Sequence, residues 1–257
     1  MHVLAATLLL ALGAQAPAAP DAGAAPTPGE AHFERAERIL EDEDNTPANI
    51  DRALQALDDA LAAGLTPARR AEAHAEKAMA LLRAGDLARD KDKARGLALY
   101  QAGKREADKG IAADPQCANA HFYRGSNLGR WAETRGLFQS MFALTDIKAA
   151  FARTLQLQPQ HLEAQLARAV MDDRLPGFAG GDSQRAERTY RALLQKYPHY
   201  TRAMLDFAEY LENDGRRAEA LKWAAAARDE RAPLRPGDWR RFDRPRAEDM
   251  LRTWQQR

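Results

Sequence analysis

The sequence predicts an all-α fold, a solenoid of about four to five helix pairs closed by a C-terminal capping helix. Three observations carry this. The 257-residue chain is rich in Ala, Leu, Arg and Glu and poor in β-branched residues, which favours helix nearly throughout. No convincing strand is visible. Above all, the chain repeats itself. The segments AEAHAEKAMALLRAGD (71–86), ANAHFYRGSNLGRWAE (118–133), LEAQLARAVMDD (162–173) and TRAMLDFAEYLENDG (201–215) align, each with Ala followed five residues later by a small residue. The pairs are Ala73/Ala78, Ala120/Gly125, Ala164/Ala169 and Ala203/Ala208.

Taken in chain order, Val3 to Leu12 is an apolar run of signal-peptide length, followed by small residues with cleavage expected after Ala16 or Ala18. The expected organisation is a leader over 1–18, a disordered Ala/Pro linker over 19–29, a helical repeat domain over 30–233 and a turn with a capping helix over 234–257. Export to the periplasm or the medium follows from the leader. Cys117, the single cysteine, leaves no internal disulfide and is far from the leader, so no lipid-attachment cysteine is expected. A divergent first pair spans Ala31–Asp44 and Asn49–Leu65.

Each aligned segment is followed by a second helix, and these end near proline: KREADKGIAADP, IKAAFARTLQLQP, AERTYRALLQKYP and ALKWAAAARDERAP. Small residues let the two helices of a pair approach closely. Phe151 and Tyr190 fill the space towards the next pair, and proline stops the second helix because it has no N–H to donate. No pair can bury its face alone, so the pairs stack. Three copies carry extra residues between their helices: LARDKDKARG, TRGLFQSMFA and RLPGFAG. They read equally as a lid or rim and as longer helices with irregular connectors. Gly181-Asp182 is the turn before the helix AERTYRALLQKYP, with Asp182 or Ser183 as its cap. A final helix is expected from about Arg246 to Gln255.

Basic and acidic residues balance, 38 against 37, so no broad field favours nucleic acid or an acidic membrane, and no segment is long and apolar enough to span one. The six histidines form no metal motif, and His74 and His121, at equivalent positions of successive copies, read as packing residues. GFAGGD lacks the lysine of a phosphate-binding loop, and Asp182 would repel phosphate. Neither an enzyme nor a cofactor is expected.

Surface recognition remains. The first helices of the pairs should present Glu72, Ala75, Met79 and Arg83, then Asn119, Phe122, Ser126 and Arg130, then Leu166 and Val170, then Arg202, Leu205 and Glu209. That mixed groove suits a peptide or protein partner, or an amphipathic small molecule. The segment from His121 to Gly136 concentrates Phe122, Asn127, Arg130 and Trp131, residue types favoured as binding anchors, with Asn and Gly in mid-helix where propensity alone would not place them.

The repeat pattern resembles the tetratricopeptide repeat, a helix pair of about 34 residues. The copy holding Ala208, Gly215, Ala220, Ala224, Ala227 and Pro233 fits best. More narrowly, GRWAETRG, IKAAFARTLQLQP and LPGFAGGD ahead of AERTYRALLQKYP, within Asn119 to about Gly215, resemble the periplasmic T-component proteins associated with TRAP transporters. That resemblance implies a scaffold that partners a solute-binding protein and holds a hydrophobic small molecule.

Overall fold

The structure, a computed structural model, describes residues 26–256. The leader and most of the expected linker lie outside the described residues. Helix starts earlier than expected, at Pro28, and the reason is local. Thr27, Thr46 and Thr66 each precede a proline, and each threonine hydroxyl accepts from the backbone N–H three residues on. Proline at the first helical position has no N–H to leave unsatisfied, and the hydroxyl satisfies another orphan donor.

Ten helices follow one another as five neighbouring pairs: α1 (Pro28–Asp42) with α2 (Pro47–Ala63), α3 (Pro67–Ala88) with α4 (Lys93–Ala113), α5 (Ala118–Arg135) with α6 (Leu137–Leu157), α7 (Leu162–Arg174) with α8 (Ser183–Lys196), and α9 (Thr201–Asn213) with α10 (Arg217–Arg228). A helical turn Pro236–Asp238 and a π-helical turn Trp239–Asp243 lead into α11 (Arg244–Gln255). No strand occurs among the described residues, and none of their helices is long and apolar enough to cross a membrane.

Close packing at small residues explains the pairing. Ala73, Ala78, Ala120, Ala164, Ala169, Ala203 and Ala208 are completely buried, and Gly125 lies against Ala150 and Phe151 of α6. Tyr190 reaches the next pair, stacking on Phe207 with centroids 5.5 Å apart; Phe151 instead meets Phe122 of its own pair, also at 5.5 Å. The hydrophobic core falls into two clusters that meet within α7: Ala164 belongs to the first and Leu166 to the second.

Two of the extra segments are absorbed mainly as longer helices, α3 running to Ala88 and α5 to Arg135. The third stays a connector with a 3₁₀ turn at Gly177–Ala179, and Asp182 caps α8 by accepting from Arg185 N at 2.9 Å.

Residues beyond α10 do more than cover the last pair. α11 packs on α10, but the stretch before it returns to the start of the chain. Arg235 pairs with Glu163 of α7. The Asp238 carboxylate accepts from Arg83 of α3 at 2.8 Å and from Asn45, between α1 and α2, at 2.7 Å. Arg240 pairs with Asp44. Gly237 sits so close to the Glu43 carbonyl that a Cβ there would collide with it. Asp243 binds Thr201 and Arg202 of α9, and Arg246 binds Asp206 and Glu209. This strap joins the last pair to the first across α9, α7 and α3.

Candidate functional site

Where the strap meets α1, α3, α5 and α7, a cavity of about 350 Å³ opens. Helical spacing builds it. Phe33, Glu37 and Glu41 stand four residues apart on α1; Arg69, Glu72, Glu76 and Met79 stand three or four apart on α3; Asn119 and Tyr123 stand four apart on α5. Such spacings put side chains on one helix face. Glu163 of α7 and Arg235 of the strap complete the lining.

One wall is a hydrogen-bond relay. The N–H of Ala164 donates to His161 Nδ1 at 3.3 Å, so the ring proton of neutral His161 sits on Nε2, 2.9 Å from Asn119 Oδ1. The Asn119 amide donates to Glu72 at 2.9 Å, and the Cys117 thiol donates to the other Glu72 oxygen at 3.3 Å. Burial lowers the His161 pKa, which keeps the ring neutral. Burial and the Glu72 charge push the Cys117 thiol up to about 12. Glu72 thereby accepts from two uncharged donors.

The chamber's charges do not balance. Arg69 donates to Glu30 at 2.9 Å and its guanidinium lies 4.3 Å from the centre of the Phe33 ring; Arg235 is taken by Glu163. Burial disfavours the Glu163 charge, but the Arg235 guanidinium beside it outweighs this and holds its pKa down. Glu37, Glu41 and Glu76 have no hydrogen-bond or ion-pair partner among the described residues. Burial raises Glu37 and carries Glu76 to about 7, with the attraction of Arg83 too weak to offset it. Among the described residues no three His, Cys, Asp or Glu side chains are placed to hold a metal ion.

The residues expected to form the groove are dispersed. Met79 lines the chamber, where its sulfur accepts from the Tyr123 hydroxyl at 2.9 Å. Arg83 is buried in the strap contact. Phe122 packs on Tyr123, Phe151 and His161. Ser126 donates to the Phe122 carbonyl. Asn127 is completely buried and donates to the Ala78 and Tyr123 carbonyls; it packs so tightly on Gly103 of α4 that a Cβ there would collide with its amide. This explains the mid-helix asparagine: it ties α5 to α3. Arg130 pairs with Glu133 and Asp86, and Trp131 receives the Arg135 guanidinium over its ring. Leu166 and Leu205 are buried in the second core cluster, with Val170 packed against it. Arg202 and Glu209 are held by the strap and α11. The two histidines do not meet in one cleft: His74 Nδ1 lies 2.8 Å from Glu106, while His121 Nε2 faces the Pro115 carbonyl.

Sequence reasoning placed Glu72, Asn119 and Met79 inward but missed Phe33, Glu37, Glu76 and Glu163. The signal was available as carboxylates recurring four apart along α1 and α3. Arg235 carried no signal, because only the fold brings the strap there. No family model matches the chain, and no curated protein is found as a relative.

Proposed function

We propose that this protein is a non-catalytic binding scaffold of tetratricopeptide-like helix pairs, and that its ligand site is the chamber beneath the strap. One observation carries the reading. A single cavity is lined from four successive pairs and roofed by Arg235, at the lower end of the roughly 300–1,000 Å³ usual for small-molecule sites. An exported scaffold that must hold a peptide along its inner face needs that face open. Here Arg83, Arg202 and Glu209 of that face are engaged by the chain's own strap and α11, which favours a small ligand over a long peptide. Native mass spectrometry of the full chain isolated from its own host tests this. A retained small-molecule mass is expected. A bare polypeptide mass overturns the reading.

A second surface supports a partner-binding or transporter-accessory role. Between α6, α7 and the 3₁₀ turn lies a groove of about 460 Å³ floored by Phe151, Leu155, Met171 and Leu175 and rimmed by Lys148 and Arg168. Phe178 nearby is 94% exposed. Such a surface suits a hydrophobic small molecule or an apolar side chain of a partner protein. Phe178→Ser is expected to weaken capture of such a partner without moving the melting temperature, and unchanged capture counts against this role.

A further inference from the structure

Building on the chamber as the ligand site, we infer that its ligand is an organic cation, a small amine or guanidinium compound, or the basic side chain of a peptide. Three observations converge. The first is the charge excess described above: both arginines of the lining are already partnered within the chain, whereas Glu37 and Glu76 face the chamber with none and Glu41 stands exposed at its mouth. An anion would meet four carboxylates, counting Glu72, with no free cation to receive it.

The second is the state of Glu76. Its side chain is half-buried and lines the chamber. A buried ionisable group without a partner is costly, and proteins retain one where something else completes it. The groups around it are Glu37 of α1, Glu72 and Arg83 of α3, and Arg235 of the strap. Both arginines are bonded elsewhere, Arg83 to Leu40 O and Asp238 and Arg235 to Glu163. A donor entering the chamber is what would complete Glu76.

The third is that the chamber already holds cations in the way a ligand would be held. Arg69 combines a carboxylate bond to Glu30 with stacking over Phe33, the pairing of charge and aromatic face that recognises organic cations. Tyr123 and Met79 supply the apolar remainder. The acids are spread over two helices rather than converged on a point, which suits an extended organic cation better than a bare metal ion. The chamber's volume admits one small molecule or one side chain.

Isothermal titration of the full chain tests this with three probes of matched length: 1,5-diaminopentane, pentane-1,5-diol and glutarate. N-acetyl-lysine amide is added as a stand-in for a peptide side chain. Binding of the diamine is expected, weakened about tenfold or more by Glu76→Gln and unchanged by Glu248→Gln on exposed α11. Comparable or tighter binding of the lysine amide assigns the cation to a peptide, and binding of the diamine alone assigns it to a free amine. Glu76→Gln removes an unpaired charge, so it should fold, and its thermal melt verifies that. Diamine binding indifferent to Glu76→Gln overturns the inference. Binding of the diol or glutarate in place of the diamine also overturns it but leaves the chamber as the ligand site. No heat with any probe, together with a bare polypeptide in the native mass spectrum, overturns both.

Discussion

Two glutamates packed against α3 have opposite fates. Glu106, on α4, is half-buried and accepts from His74 Nδ1 at 2.8 Å and Lys109 at 2.7 Å, with the Lys77 ammonium 3.7 Å away. Burial alone would raise its pKa, yet the bonds from His74 and Lys109 carry it down to about 2. Glu76, on α3 itself and facing the other way, is also half-buried, but its surroundings offer it no bond, and burial carries it up to about 7. The same residue type on opposite sides of one helix thus stabilises the fold in one place and strains it in the other. Burial sets the cost of a charge, and partners decide whether that cost is met. An unmet carboxylate lining a cavity is where a donor from outside the chain would be most strongly held.

The sharpest way to break this comparison is to remove Glu106. Glu106→Ala leaves His74 and Lys109 without their acceptor and is expected to cost about 3 kcal/mol, read by urea denaturation at pH 7. Because the folded pKa is depressed, this stabilisation is present above the unfolded value of 4.5 and lost as pH falls towards 2. The gap between wild type and variant should therefore close over that range. A gap that persists at the acid end would mean that packing, not charge, holds the cluster.

Glu76→Gln should act with the opposite sign. A raised pKa favours the folded state fully below 4.5, and that advantage is lost as pH climbs through 7. The variant is expected to match wild type near pH 4.5 and to exceed it by about 2 kcal/mol at pH 8. Melting temperatures at the two values decide it, and a variant less stable than wild type at pH 8 would show that Glu76 has a partner within the chain.

Tyr190 sharpens the contrast with an uncharged case. Its hydroxyl is completely buried without a hydrogen-bond partner, in a core stacked on Phe207. Tyr190→Phe is expected to add about 1 kcal/mol at pH 5 and pH 8 alike, since the Tyr190 hydroxyl, raised by burial, stays protonated across that range. A pH-dependent gain would place a titrating group against that ring.

Much of the fold was legible. The alanine pairs five residues apart mark the buried faces of the first helices, and Pro115, Pro159, Pro198 and Pro233 follow the second helices, as their missing N–H requires. The site was legible only in part. Glu72, Asn119 and Met79 could be placed inward because the repeat register assigns their helix face. Phe122, Asn127 and Trp131 attracted notice as aromatic and polar anchors, yet Phe122 and Asn127 are buried in packing and Trp131 meets Arg135, because those residue types serve a core as well as a surface.

By itself the sequence determined what local chemistry can determine: helices from composition, their limits from Thr-Pro caps and trailing prolines, and their pairing from small residues at a fixed spacing. Each of these acts within about one helix pair. The tertiary structure alone decided that Arg235 and Asp238 return across more than seventy residues, and in one case nearly two hundred, to close on Glu163, Asn45 and Arg83. It alone decided that two arginines are used up and Glu76 is not. A charge's partner depends on distance in space, and a pattern read along the chain carries no record of that distance.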